Sequence, residues 1–352
     1  MKLINTKDAE GMVLCHDITQ IIKGVTKDAV FRKGHVVTKE DIPVLLSVGK
    51  DRLYVWEQEE GMLHEDEAAD ILRELCQGSN MTASTPKEGK IELSADCDGL
   101  LKINRPALKT INQMGQMMIA ARHGDVPVKK GDKLAGTRVI PLVIEAEKMA
   151  AARVAARAAT EGRPILELKP FRHKKAGVIT TGNEVYYGRI KDTFTPVIVE
   201  KLQEYGGEMT DHVVWNDDDT KVTASILVMI GKGADMIICT GGMSVDPDDK
   251  TPLAIKNTGA RIVSYGAPVL PGAMFLLAYY NAGTGNERRE IPIMGLPGCV
   301  MYAGRTIFDL VLPRIMADDP VTGEELAALG EGGLCLNCQE CTFPNCGFGK
   351  GN

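Results

Sequence analysis

The sequence predicts an α/β protein: its main domain is a mainly parallel sheet with helices on both faces, and a mixed α+β N-terminal region precedes it. Three observations support this fold class. Strand-like apolar runs alternate with helix-like segments from residue 176 onward. Several of these strands end in glycine-containing turns, as strands of open α/β sheets do. The first 145 residues instead mix short strands with single helices.

Composition sets the broad class of the protein. The 352 residues exceed what one hydrophobic core usually fills, so several domains are expected. With 44% hydrophobic and 25% charged residues the chain is globular, and its formal charge of -6 argues against nucleic acid as a partner. The N-terminus lacks a signal-peptide pattern, and the apolar runs are too short to span a membrane. The sequence therefore predicts a cytoplasmic protein.

Five consecutive segments are predicted. They are a small mixed unit at 1–60, an α+β region at 61–145, a connecting helix and linker at 146–170, an α/β domain at 171–317, and a linker with a Cys-rich tail at 318–352.

The N-terminal helices follow from apolar spacing and capping residues. A helix is predicted at 38–48, with Thr38 as its N-cap. Two amphipathic helices are predicted at 64–77 and 106–122, the second capped by Asn104. Strands are expected before and after the second of these helices, joined by polar turns.

The α/β domain follows an Ala- and Arg-rich helix at 144–160. Its predicted strands are 176–180, 208–215, 235–240 and 261–265, and the helices between them are 192–205, 218–231 and 251–259. Two more strands, 274–280 and 290–295, flank a turn rich in Gly and Asn and predict a hairpin at the sheet edge. A helix at 300–315 closes the domain.

Glycines and carboxylates lie where the predicted strands end. The sequences are TGNE at 181–184, NDDD at 216–219, and GG at 241–242 followed by three aspartates, Asp246, Asp248 and Asp249. Exposed backbone N–H groups at such an edge attract anions, and a hard cation such as Mg²⁺ would offset the repulsion between carboxylates and an anion. The alternative is that the glycines only form turns and the aspartates only cap helices. Standard P-loop, dinucleotide and H-E-x-x-H signatures are absent from the sequence.

These motifs carry a resemblance to a known family. The stretches TTGNEV (180–185), GRIKDTFTPVIVEKLQEYGGE (188–208) with its NDDD, TGGMSVDPDDKTP (240–252), PG (271–272) and GLPG (295–298) together resemble the molybdopterin-binding domain of molybdenum cofactor biosynthesis proteins. The order of domains is more similar to the molybdopterin molybdotransferases, which are related to the gephyrin E domain, than to the adenylyltransferases. The resemblance implies molybdopterin as ligand or substrate, molybdate or tungstate as co-substrate, Mg²⁺, and a homo-oligomer.

The resemblance also implies roles for individual residues. Glu184, Asp217 and Asp249 match the acids that surround the pterin phosphate, Mg²⁺ and molybdate, and they are the predicted catalytic residues. The predicted substrate-binding residues lie in or beside the turns, and they are Thr181, Gly182, Asn183, Asp218, Gly241, Gly242, Ser244, Thr251, Pro271, Gly272, Pro297 and Gly298.

Two departures from the family pattern affect the predicted activity. Ala273 stands where the molybdotransferases have the lysine of P-G-K-P, and Cys299 stands where they have the asparagine of L-P-G-N-P. Cys299 is either a packed cysteine or a ligand contact. The basic stretch 169–175 is either a solvated linker or a source of the positive charge that Ala273 does not supply.

Three functions therefore stay open. The first is Mg-dependent insertion of molybdate into molybdopterin. The second is a non-catalytic carrier or sensor of molybdopterin that docks on a molybdoenzyme or another cofactor-assembly protein through a metal-binding tail. The third is a phosphate or nucleotide hydrolase on the same fold.

Four cysteines are crowded in the tail. Cys335, Cys338, Cys341 and Cys346 form the pattern C-x2-C-x2-C-x4-C, whose first three members have the spacing of ferredoxin cluster ligands. Such a set can hold one iron–sulfur cluster or one tetrahedral Zn²⁺, and metal-free redox-active thiols are a third alternative. Because the linker at 318–333 is rich in Gly and Glu, the tail is expected to be mobile.

Overall fold

The computed structural model describes residues 2–22, 26–55, 60–244, 249–283 and 289–351. The chain divides into two compact units. The first comprises Met1–Ser94, Ile103–Arg122 and Lys133–Glu167, and the second comprises Ala95–Lys102, His123–Asp132 and Leu168–Asn352. The predicted α/β class with a mixed N-terminal region is confirmed, whereas the five predicted segment boundaries remain predictions. In the described ranges, no helix combines the length and the apolar character needed to cross a membrane.

The elements are numbered along the chain. The strands are β1 (Lys2–Asn5), β2 (Ile18–Ile22), β3 (Thr26–Phe31), β4 (Arg52–Val55), β5 (Met62–His64), β6 (Met81–Ala83), β7 (Lys90–Ala95), β8 (Gly99–Ile103), β9 (Met117–Ala121), β10 (Val126–Val128), β11 (Lys133–Val139), β12 (Val143–Glu145), β13 (Leu166–Pro170), β14 (Lys175–Thr181), β15 (Glu208–Trp215), β16 (Met236–Thr240), β17 (Arg261–Tyr265), β18 (Leu276–Ala282) and β19 (Arg289–Leu296). The helices are α1 (Asp41–Ser47), α2 (Glu65–Cys76), α3 (Arg105–Gln113), α4 (Ala146–Thr160), α5 (Asn183–Tyr186), α6 (Phe194–Gln203), α7 (Asp219–Gly231), α8 (Thr251–Asn257), α9 (Ile307–Met316) and α10 (Gly323–Ala328).

Two predicted helices of the first unit are shorter than expected. Helix α1 begins at Asp41, whose carboxylate accepts hydrogen bonds from the backbone N–H and the hydroxyl of Thr38, each at 2.8 Å, so Thr38 is a donor to the helix start and not its cap. Asn104 does cap α3, but the helix ends at Gln113.

A strand replaces the second half of the helix predicted at 106–122. Gly115 and Gln116 both adopt positive φ, which ends the right-handed helix. The following strand β9 pairs antiparallel with β11 in the four-stranded sheet of order β6-β7-β11-β9. Its buried residues, Met117 and Ile119, alternate with exposed ones. The apolar spacing thus fits both the 3.6-residue period of a helix and the two-residue period of a strand, and pairing with β11 favours the strand.

A buried carboxyl group in the first unit gives a testable pH dependence. Burial, and then the charge of the neighbouring Asp66, raise the pKa of Glu65 from 4.5 to about 7. The folded state therefore holds this proton more tightly than the unfolded state, so folding loses stability as pH rises from about 4.5 to about 7 and does not regain it above. Glu65→Gln is expected to stabilise the protein by about 2–3 kcal/mol at pH 8 and much less at pH 4.5, measured by urea unfolding.

Glu74→Gln is the matched control for Glu65→Gln. Glu74 lies on the same helix, half of its side chain is exposed, and it pairs with Arg153. Its replacement should change the free energy of unfolding by roughly 0.5 kcal/mol or less at either pH. A Glu65→Gln variant that is no more stable than the wild type at pH 8 would contradict the burial argument.

The second unit contains a six-stranded sheet of order β15-β14-β16-β19-β18-β17. The first four strands are parallel, and β18 and β17 continue the sheet in antiparallel pairing. Strands β18 and β19 form the predicted antiparallel pair, but the prediction of its place at the sheet edge is wrong. Strand β19 pairs with β16 inside the sheet and β17 covers the outer side of β18, because β19 supplies the parallel neighbour that β16 needs.

Helices cover both faces of this sheet, as predicted. Successive side chains of a strand point to opposite faces, so Val178 packs in the core with α6 and α9 while Ile179 packs in the core with α7 and α8. The helix predicted at 300–315 divides into a short 3-10 helix, Gly298–Met301, and α9, which Thr306 and Asp309 begin with a capping box.

Candidate functional site

Four parallel strands bring their carboxyl ends to one edge of the sheet. In the register of the sheet, Thr181 at the end of β14 lies beside Trp215 at the end of β15, and Thr180 lies beside Thr240 at the end of β16. Thr240 in turn lies beside Leu296 at the end of β19. The turns that follow these strands are therefore neighbours, at the kind of edge where α/β proteins bind ligands.

The glycine turn after β16 is packed directly against β14. Gly241 has a φ of +82°, and a Cβ there would lie 2.1 Å from the carbonyl oxygen of Thr181. Gly242 has a φ of +58°, and its Cβ would lie 2.7 Å from Oγ1 of Thr251. The buried hydroxyl of Thr251 donates to the Gly241 carbonyl at 2.9 Å and lies 3.1 Å from Oγ1 of Thr181. The structure thus joins four predicted site residues, and only glycine fits at two of them.

The turn after β14 forms the neighbouring wall. The N–H of Gly182, whose φ is +137°, donates to the carbonyl of Trp215 at 3.2 Å. Asn183 begins the short helix α5 and is half-buried, while the Glu184 carboxylate is exposed. These residues therefore lie at the same edge with an acid available to solvent.

The acidic turn after β15 contains both a capping residue and a buried oxygen. Asp218 caps α7: its carboxylate accepts from the Lys221 N–H at 3.1 Å, and this hydrogen bond is the main reason that its pKa is lowered. Asp217 is half-buried. Asn216 Oδ1 is buried and accepts no hydrogen bond from the residues that the structure describes. Sequence reasoning missed Asn216, although it begins the NDDD run.

The loop after Gly242 is only partly described. Ser244 is exposed and Asp249 is half-buried, whereas Asp246 and Asp248 lie outside the described residues. Burial, and then the charge of Asp249, raise the pKa of Tyr265, whose hydroxyl donates to the Met243 carbonyl at 3.0 Å. Asp249 is therefore close enough to Tyr265 to act on it electrostatically.

The remaining predicted residues lie at two places. Pro297 is buried and Gly298 is exposed at the start of the 3-10 helix after β19, so both belong to the same edge. Pro271 and Gly272 instead pack against the start of α9: the Ile307 N–H donates to the Pro271 carbonyl at 3.2 Å, and a Cβ at Gly272 would lie 2.5 Å from Cγ2 of Ile307.

The structure bears on the alternatives for Cys299 and for the basic stretch. Burial raises the pKa of the half-buried Cys299 thiol, which favours the packed, protonated cysteine. The basic stretch precedes β14, so it lies at the opposite end of that strand from Thr181, about 20 Å away along six residue steps. Lys169 pairs with Asp319 at 2.9 Å and Lys174 with Asp318 at 2.5 Å. These pairs and this position favour the linker alternative for the stretch.

A polar network beneath the edge was not predicted. Asp192 accepts a hydrogen bond from the Thr195 hydroxyl at 2.6 Å, and His212 Nε2 lies 3.1 Å from the hydroxyls of both Thr195 and Thr180. Burial raises the pKa of Asp192, but the hydrogen bonds from Thr195 and Phe194 outweigh it and the net shift is downward. The Asp-x-x-Thr spacing at 192–195, typical of a helix start, was the available signal.

The predicted metal ligands do not form a ready metal site among the described residues. Across the described ranges, no three His, Cys, Asp or Glu side chains stand close enough together to hold one metal ion. The four tail cysteines carry free thiols; Cys335 and Cys346 are half-buried, and Cys338 and Cys341 are exposed. Mg²⁺ and a tail metal therefore remain predictions.

Two family descriptions match this chain. Residues 177–317 match a probable molybdopterin binding domain, and residues 3–57 match a domain of unknown function, DUF8806. The curated relatives include the CinA-like proteins of Mycolicibacterium vanbaalenii and Mycobacterium tuberculosis, each 34% identical over 77 residues. That match covers 22% of this chain and 18% of each relative, so the chain spans less than a fifth of their length.

Similar solved structures have been determined from archaea. The tungsten cofactor synthesizing protein MoaB of Pyrococcus furiosus is 25% identical, with 37% of this chain and 84% of that chain covered and a TM-score of 0.31. The protein CinA of Thermoplasma acidophilum, whose function is unknown, is 18% identical, with 41% and 98% covered and a TM-score of 0.31.

Proposed function

We propose, from the premise that residues 177–317 form a domain of the molybdopterin-binding family, that this chain binds molybdopterin or its adenylylated form in molybdenum or tungsten cofactor assembly. The observation that carries the proposal is the single sheet edge at which Gly241, Gly242, Thr181 and the acidic turn meet. A cytoplasmic location and a homo-oligomer belong to the same proposal.

The backbone of the glycine turn suits an anionic group. Because Gly241 and Gly242 have no side chain, a phosphate can approach their peptide groups closely. Thr181 and Thr251 hold the turn rigid through their paired hydroxyls, so little conformational freedom is lost on binding. The exposed Gly298, beside them at the end of β19, leaves the approach to the turn open.

The oxygen donors at the edge suit Mg²⁺. This ion usually keeps several waters and takes one or two protein carboxylates together with substrate phosphates, so a cage of three carboxylates is not required. Asp217 and Asp249 would supply carboxylates, and the buried Oδ1 of Asn216, which has no hydrogen-bond partner among the described residues, would bind the ion or a water on it. When bound, Mg²⁺ would neutralise charge on the phosphate oxygens during cleavage of the anhydride. Glu184 would orient the oxyanion that is transferred to the dithiolene.

A carrier or sensor is the second candidate function. It is favoured by Ala273, which removes the lysine of the molybdotransferase pattern, and by the position of the basic stretch at the far end of β14. In this alternative, the tail binds a metal and docks on a molybdoenzyme or another cofactor-assembly protein. A phosphate or nucleotide hydrolase is the remaining alternative, and turnover of a free nucleotide without pterin would indicate it.

The deciding experiment is an anaerobic incubation of the full chain with adenylylated molybdopterin, Mg²⁺ and molybdate, in which released AMP and retained pterin are measured together. AMP release that depends on molybdate would establish the transferase. Tight retention of pterin without AMP release would establish the carrier or sensor. Absence of retention would refute the proposed ligand.

Asp249→Asn tests the acid in the glycine loop. The substitution keeps the size of the side chain and removes its charge, so we expect AMP release to fall on the order of 10²-fold if the carboxylate acts in the transition state. Asp211→Asn is the matched control, because Asp211 lies on β15 in a partly exposed pair with Lys232 and should leave the rate unchanged. Equal rates for the two variants would remove Asp249 from the site.

A further inference from the structure

The C-terminal segment is anchored to the α/β unit, in contrast to the mobile tail that the sequence suggested. Leu270 N–H donates to the Gly333 carbonyl and Cys335 N–H donates to the Leu270 carbonyl, both at 2.8 Å. Phe348 is only 5% exposed and belongs to the core that contains α6 and α9. Helix α10 also lies inside the segment predicted as a linker. The four cysteines thus occupy a folded segment.

All four cysteines line one cavity of about 220 Å³. Its other walls are mainly apolar or aromatic and include Phe343 and Phe348. Arg305 is the only charged side chain among the described lining residues, and no carboxylate is among them. Four thiols without a carboxylate among the described lining residues suit a soft metal centre better than Mg²⁺ or Ca²⁺.

Arg305 is fixed in place at this cavity. Its guanidinium donates to Glu204 at 3.0 Å and to Asp309 at 2.8 Å, and its Cζ lies 4.9 Å from the centroid of the Phe343 ring. These two carboxylates already balance the guanidinium charge, so Arg305 and the Phe343 ring fix the shape of this wall and do not supply free charge to a group within it.

The shared cavity and the spacing of the thiols along the chain favour a cluster over zinc. A zinc ion binds each sulfur at about 2.3 Å, which brings four sulfurs within roughly 4 Å of one another. The four cysteines share a cavity of about 220 Å³, and Cys335, Cys338 and Cys341 have the C-x2-C-x2-C spacing of cluster ligands. An iron–sulfur cluster holds its cysteines farther apart, because several iron and sulfide atoms lie between them.

We propose that Cys335, Cys338, Cys341 and Cys346 ligate an iron–sulfur cluster in the cavity bounded by Arg305 and Phe343. This inference deepens the metal-binding tail of the proposed function and does not depend on pterin binding. Because Cys335 is hydrogen-bonded to the residue before Pro271, the cluster lies next to the segment that corresponds to the altered P-G-K-P motif.

The test is anaerobic reconstitution of the full chain with Fe²⁺ and sulfide, with a parallel incubation in Zn²⁺ alone. We expect about two to four iron atoms per chain with matching sulfide, visible absorption, and an electron paramagnetic resonance signal after reduction. One zinc per chain without iron uptake would overturn the cluster and leave the metal-binding tail intact. Uptake of neither metal would refute both. Pterin retention by the same samples reports separately on the molybdopterin proposal.

The double variant Cys338→Ser and Cys341→Ser tests ligation directly. Both side chains are exposed, so serine should preserve folding while the iron content falls at least about tenfold. Cys97→Ser is the control, because Cys97 is a half-buried cysteine of the same unit that does not line the cavity and should leave the iron content unchanged. Full iron content in the double variant would overturn the assignment.

Discussion

Gly241→Ala is expected to abolish molybdopterin binding and to destabilise the α/β unit by about 3 kcal/mol or more. The added Cβ would lie 2.1 Å from the Thr181 carbonyl oxygen, a distance that requires a backbone to move, since no flexible side chain can yield there. The φ of +82° adds the cost of a left-handed alanine. Moving either backbone would separate the hydroxyls of Thr181 and Thr251 that hold the turn. Denaturant unfolding and pterin retention are the two measurements.

Gly233→Ala is the control that separates the steric clash at Gly241 from the cost of a left-handed backbone at alanine. Gly233 has a φ of +97°, but a Cβ there meets nothing within 4 Å. Its replacement should cost about 1–2 kcal/mol and leave pterin retention intact. If Gly241→Ala gave the same loss of stability and the same pterin retention as Gly233→Ala, the close approach of the glycine turn to β14 would not be needed for stability or for binding.

Secondary structure was predicted most accurately from the sequence where one local signal dominated. Strand β15 matches its prediction at both ends, because a segment of alternating burial stands between two clear turn signals, the Gly pair at 206–207 and the NDDD run at 216–219. The prediction failed at β9, where apolar spacing fits two periods and pairing with β11 decides. It also failed for the position of the β18–β19 pair, because strand order depends on contacts between distant parts of the chain.

The site was predictable in its residue types and less so in its geometry. The glycine turns lie where the pattern placed them, since parallel strands share one carboxyl edge. The contact of Gly241 with Thr181 joins residues 60 positions apart, so no local sequence pattern indicates it. The same holds for His212, which reaches Thr180 only because β15 pairs with β14. Asp218 shows the converse, since its capping role follows from local spacing alone.

Asp319→Ala is the second substitution with a large expected effect. The Asp319 carboxylate, only 9% exposed, accepts from Arg314 at 2.6 Å and from Lys102 and Lys169 at 2.9 Å each. Its removal leaves the guanidinium of Arg314, also 9% exposed, with Glu325 as its remaining carboxylate partner at 2.7 Å. Breaking a buried ion pair from one side costs about 3–5 kcal/mol, so we expect a loss of this size in urea unfolding at pH 7.

The pKa of Asp319 and a control substitution at the neighbouring Asp318 test this expected loss of stability further. Burial raises the pKa of Asp319, but Arg314 and the two lysines outweigh it and lower the pKa to about 2 from 3.8. The stabilisation from ionisation is therefore complete above about pH 5, and about 2 kcal/mol of it is lost as pH falls toward 2. Asp318→Ala is the control: its side chain is 61% exposed, so its pair with Lys174 should contribute about 1 kcal/mol or less. If the two alanine variants lost equal stability at pH 7, burial would not be what makes the Asp319 network strong, and the C-terminal part of this unit would be held mainly by its apolar contacts.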